Sequence, residues 1–135
     1  MVYYEAGEFS RTAIIQTFQS SAAIAKGAVC TVTPAAPSTI ATCGTTDASL
    51  NGPYAVAIEA ATASGETIRC VVYGEVAVDA SGNCYKGAYV YGHSGKAVTR
   101  TLSDYAVTKA PTLGRVTEGA ASGGVCTVFV GAGGL

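Results

Sequence analysis

Two stretches of this chain follow one pattern. Residues 55–72 and 114–130 each run from an apolar segment ending in a glutamate (Glu59, Glu118), through an Ala-rich bend and a Ser-Gly turn, into an alternating strand-like segment. Upstream, Ala25-Lys26-Gly27-Ala28-Val29 is echoed by Tyr85-Lys86-Gly87-Ala88-Tyr89. Lys86 follows Lys26 by 60 positions and Glu118 follows Glu59 by 59, so two independent marks give nearly one period. A β unit repeated at that spacing predicts two similar halves, about 13–76 and 77–131, which describes a scaffold rather than a catalytic constellation.

Half of the chain would be marginal as a separate domain, so the two halves are expected to share one fold. A folded monomer of 13.5 kDa exposes about 6,500 Å². Only 13% of its residues are charged, against about 25% in ordinary soluble domains, and the net charge is -1. So few charges protect a free monomer poorly against association, which points to a surface covered by partners. The charge balance argues against nucleic acid as a partner. No run of 18 apolar residues is present, so no membrane span is expected. Met1-Val2-Tyr3-Tyr4-Glu5 lacks the charged start and apolar stretch of a secretory leader. Synthesis in a cytoplasm is therefore expected. The cysteines Cys30, Cys43, Cys70, Cys84 and Cys126 are odd in number, have no C-x-x-C pair and sit mostly in apolar runs, as reduced structural thiols do.

Turn signals punctuate the chain at Ser64-Gly65, Ser81-Gly82, Ser94-Gly95, Ser122-Gly123 and Asn51-Gly52-Pro53. Between them the segments alternate. Ile68, Cys70 and Val72 share one face and Arg69, Val71 and Tyr73 the other; Val76 and Val78 point inward; Val125–Val130 is almost continuously apolar, as a strand buried on both faces is. Residues 28–33 and 97–102 are rich in β-branched side chains, and 13–18 leans to strand over helix. The prediction is an all-β barrel or sandwich spanning 13–131, with a loose tail at 132–135. Residues 1–12 fit no period. Tyr3, Tyr4 and Phe9 lie there beside Glu5, Glu8 and Arg11, and we expect an extended N-terminal arm whose Tyr3, Tyr4, Phe9 and Arg11 anchor a partner. The segment from Pro34 to Thr46 has no counterpart in the second half.

A search for chemistry yields no catalytic, cofactor-binding or metal-binding residues. His93 is the sole histidine and its neighbours place it at a hairpin tip, with no nucleophile or orienting acid nearby. Glu59 and Glu118 look like paired carboxylates, but duplication alone makes them equivalent. There is no nucleophile elbow, phosphate loop or zinc-type spacing. No enzyme activity and no cofactor are expected.

The stretches Ala23–Val29, Tyr54–Ala61 and Gly65–Val72, with Lys86–Val90 and Leu113–Val125 as a second round, resemble the small capsid decoration, or head cement, proteins of tailed bacteriophages. The resemblance spans about residues 13 to 131. It implies a β-rich virion protein on the outer surface of the capsid, bound to the major capsid protein near local symmetry axes, often as a homotrimer. The alternative is a carbohydrate- or receptor-binding β module of a virion, for which Tyr85, Tyr89 and Tyr91 would form an aromatic platform.

Overall fold

The computed structural model describes residues 3–32, 39–42, 54–99 and 112–131, with 39–42 described by their backbone. Among these residues there are nine strands and no helix. They are β1 (Ile14–Ser20), β2 (Val29–Val32), β3 (Thr39–Thr42), β4 (Tyr54–Ala57), β5 (Thr67–Asp79), β6 (Tyr89–His93), β7 (Lys96–Thr99), β8 (Gly114–Glu118) and β9 (Val125–Val130). All four Ser-Gly dipeptides fall in turns or bends. Ser94 and Gly95 both take positive φ (53° and 79°), the mirror-image turn that a two-residue hairpin needs, and they join β6 to β7.

The strands pair in the order β1-β3-β2-β4-β5-β9-β8-β6-β7, and β1 also pairs β5. That extra pairing closes β1, β3, β2, β4 and the first part of β5 into a five-stranded ring, in which only β1 and β3 run parallel. The second part of β5 continues through β9, β8, β6 and β7. A parallel bridge from Ala80 to Ala97, and a bond from Ser81 N–H to the Ala97 carbonyl (2.8 Å), bring that series back towards its start. The result is an all-β, nearly closed barrel. The sequence splits 67–73 from 75–79, but they form one strand. Gly74 sits between them at φ 124°, where an added Cβ would lie 2.7 Å from the Ala13 backbone.

Matched hydrogen bonds occur in the two parts. Ile24 and Ala61 exchange bonds of 2.9 and 2.8 Å, and Cys84 and Ala120 exchange two of 2.9 Å. Gly27 N–H donates to Ala57 (2.7 Å) as Gly87 N–H does to Val116 (2.8 Å). Gly65 N–H donates to Ser20 (2.7 Å) as Gly123 N–H does to Ala80 (3.0 Å). The described part of the Pro34–Thr46 stretch, residues 39–42, does have a counterpart. It contains β3, which pairs β2 and meets β1 in parallel as β7 pairs β6 and meets Ala80. Two prolines just before it, Pro34 and Pro37, disguise a strand only four residues long.

Strand alternation feeds two cores. In β4, Ala55 and Ala57 join Phe18, Ile24, Cys30, Ile68 and Cys70 inside the first ring. Tyr54 and Val56 point the other way, with Val29 and Val71, into a cluster that includes Val76, Val78, Val90, Val116 and Val128 of the second. All four residues of β4 are buried, and so are Cys30, Cys70, Cys84 and Cys126, none of them in a disulfide. Burial pushes the Cys70 and Cys126 thiols up to about 12. Cys43 lies outside the described residues.

Candidate docking surface

Residues 3–13 are not an extended arm. They lie along β5 on the side away from β9: Gly7 N–H donates to Ala77 O (2.8 Å), Ala77 N–H to Glu8 O (2.8 Å) and Ser10 N–H to Glu75 O (2.9 Å), and Phe9 bridges Val76. Without this segment those β5 groups would form an open edge, which is why the chain folds back on itself. A local turn sets the path. The Glu8 carboxylate accepts the backbone N–H groups of Tyr4 (2.9 Å) and Glu5 (2.8 Å).

The four predicted anchors separate accordingly. Tyr3 is buried and donates its hydroxyl to Glu75 Oε1 at 3.3 Å; burial first, and then the Glu75 charge, raise its pKa. Phe9 is half-buried against the shared core. Tyr4 is 85% exposed and Arg11 is exposed, with no ion pair among the described residues. Three of the four line one groove of about 530 Å³. Tyr3, Phe9 and Ile58 supply its apolar part, Arg11, Lys26 and Arg69 its cations, and Glu8 a carboxylate. Lys26 pairs with Glu5 at 3.7 Å and Arg69 with Glu59 at 3.4 Å, while Arg11 makes no ion pair among the described residues. Such a groove suits an extended segment with apolar side chains and a carboxylate. Ile58 and Arg69 were missed by sequence reasoning, because only the β4–β5 pairing brings them next to the first ten residues.

The duplicated glutamates hold structure. Glu59 Oε1 accepts the Arg69 N–H at 2.8 Å, and this bond, with the guanidinium contact, holds its carboxyl below the usual range. Glu118 faces Lys86 at 4.0 Å. His93 stands half-buried at the end of β6. Among the described residues no three of His, Cys, Asp and Glu gather in one place. Tyr85 is 64% exposed, but Asn83 beside it accepts the Ser122 N–H (3.1 Å) and donates to the Tyr85 hydroxyl (3.4 Å), so its amide is engaged within the fold. Tyr89 lies under the Arg115 guanidinium, which stands 5.4 Å from its ring, and Tyr89 and Tyr91 share one face of β6.

A different row of side chains runs across the outer face of the second ring. Glu75 stands opposite Phe129, Phe129 opposite Arg115, and Arg115 opposite Tyr89. Tyr73 packs edge-on against Phe129 with centroids 5.3 Å apart, and Ile14 pairs with Tyr73. Tyr89 is 41% exposed, Tyr73 48% and Ile14 53%.

No protein-family model matches this sequence, and no curated protein matches it. Among solved structures, the fold is similar to the head fiber gp8.5 N base in bacteriophage phi29, with a TM-score of 0.63 and 16% identity. The likeness covers 92% of this chain and 98% of that one, so what the two share is a whole fold rather than a fragment of one.

Proposed function

We propose that this protein is a non-enzymatic structural component of a phage virion that binds the outer surface of the head and reinforces contacts between major capsid protein subunits. The observation that carries the reading is the whole-chain likeness to a phage head fiber base. The sequence resemblance to head cement proteins points the same way. The paired hydrogen bonds at Ile24/Ala61 and Cys84/Ala120 support reading the barrel as a duplicated unit, which gives a rigid body without a reaction centre.

In this reading the groove beside Arg11 takes a segment of the capsid protein. A standard interface covers about 800 Å² per partner, far more than this groove alone, so the neighbouring surface contributes as well. The test uses the full-length protein with heads of the phage whose genome carries its gene. Arg11→Glu and Tyr4→Ala alter exposed side chains and leave the β5 edge paired. Saturable binding to heads, weakened at least tenfold by Arg11→Glu, supports the reading. Binding that both variants leave unchanged removes the groove from it, and no binding by the unaltered protein removes the reading itself.

A further inference from the structure

Residues 7–10 cover β5 at Glu75–Ala77, but the matched stretch of β1 has no such cover. Gly65 N–H donates to Ser20 O as Gly123 N–H does to Ala80 O, so Ser20 corresponds to Ala80. Counting back, Ile15 and Thr17 hold the places of Glu75 and Ala77. The direction of the Thr17 backbone follows from its partner. Arg69 pairs with Thr17, and both Arg69 backbone groups turn away from β1: the N–H donates to Glu59 Oε1 (2.8 Å) and the carbonyl accepts the Ile58 N–H (3.0 Å). Thr17 and Arg69 are therefore a non-hydrogen-bonded pair, and the Thr17 N–H and C=O point away from β5. Ile15, two residues earlier, turns its groups the same way. At the matched places on β5 these groups bond to Gly7, Glu8 and Ser10. On β1 they have no backbone partner among the described residues, because β3 meets β1 only at Gln19 and Ser20. Gln16 and Thr17 are exposed, so the edge is open to solvent.

We propose that this edge of β1, at Ile15–Thr17, takes an added strand from the head protein: an extended segment that carries a carboxylate. The proposal rests on the head-binding reading and gives it a mode of attachment. The chain itself shows what such an edge accepts, since Glu8–Ser10 lie antiparallel to β5 and bond to it through their backbone. That segment is already committed to β5 in every copy, so the occupant of β1 comes from another protein. Exposed edges are normally blunted by a charge or a proline, yet Ile14-Ile15-Gln16-Thr17-Phe18-Gln19-Ser20 contains neither. Charge beside the edge selects the chemistry of the occupant. Arg69, opposite Thr17, lines the groove together with Lys26 and Arg11, and Arg11 precedes Ile14 by only three residues. Arg11 makes no ion pair among the described residues, so an acid on the added strand supplies its counter-charge. Backbone bonds along β1 would then give affinity, and the cationic groove specificity.

Proline scanning of β1 in the full-length protein, read by thermal melting and by binding to purified heads of the phage whose genome carries its gene, tests it. Thr17→Pro removes one outward N–H and leaves the bonds to β5, which run through Gln16 and Phe18. The expected result is an unchanged thermal midpoint with head binding weakened at least tenfold. Thr17→Ala, which keeps the N–H, should bind as the unaltered protein does. Gln16→Pro breaks a bond to β5 and should lower the midpoint. A midpoint that Thr17→Pro lowers as far as Gln16→Pro, binding that Thr17→Pro leaves intact, or an equal loss with Thr17→Ala overturns the proposal while the head-binding reading stands. Self-association of the unaltered protein that Thr17→Pro abolishes also overturns it, and gives the edge to a second copy. No binding by the unaltered protein removes the head-binding reading, and the proposal with it.

Discussion

Phe129 and Arg115 stand directly opposite each other across β9 and β8, at the register that Val71 and Val56 occupy across β5 and β4. The backbone positions match, and the side chains follow from what covers them. Val56 and Val71 lie beneath the second ring, whereas Arg115 is open to solvent.

Exchanging the two environments therefore has unequal effects. Val56→Arg places an unpaired cation in a dry cluster and should cost about 4 kcal/mol or more, enough to unfold much of the protein. Arg115→Val loses one exposed bond and should change stability by less than about 1 kcal/mol. Urea denaturation of both variants measures the contrast.

Gly27 and Gly87 form a second matched pair. Both hold positive φ (86° and 90°), so alanine at either strains the backbone by about 1–2 kcal/mol. Only at Gly27 would the new methyl overlap Ala6 and the Gly7 backbone; at Gly87 the nearest atom is an Arg115 nitrogen 4.0 Å away. Gly27→Ala should cost about 2 kcal/mol more than Gly87→Ala in the same denaturation experiment.

Removing residues 2–11 strips the cover from β5 at Glu75 and Ala77 and withdraws Phe9 from the core. The truncated chain should lose about 3 kcal/mol of stability and aggregate on warming. A freely extended arm would leave the thermal midpoint unchanged.

The raised thiols set an alkaline limit. The folded protein keeps the Cys70 and Cys126 protons up to about pH 12, while the unfolded chain releases them near the ordinary thiol pKa of about 8.5. The native state then holds more protons, so stability is full below about pH 8.5 and falls as pH rises towards 12. Replacing both cysteines by alanine should flatten the decline of the urea midpoint between about pH 8 and about pH 10 relative to the unaltered chain.

Local chemistry was legible in the sequence; long-range pairing was not. Alternation located β5 and β9, and Ser94-Gly95 marked its hairpin. That the hairpin tip docks on Val29 was not readable, because nothing near Gly95 encodes a partner so distant in the chain. Tyr3 and Phe9 looked like free anchors for the same reason. Their segment has no period of its own, and the edge that orders it lies at Glu75–Ala77. Alternation set Val71 on a face with Arg69 and Tyr73, and nothing local says that a second ring buries it together with Val29 and Val56.

The central claim is attachment to a phage head. Its most direct measurement is the occupancy of the full-length protein on purified heads of the phage whose genome carries its gene, read by co-sedimentation and by image reconstruction of the particles. The account predicts saturable binding at fixed positions on the outer surface, with heads that withstand heating better when occupied. Heads that neither retain the protein nor gain stability from it would contradict the account.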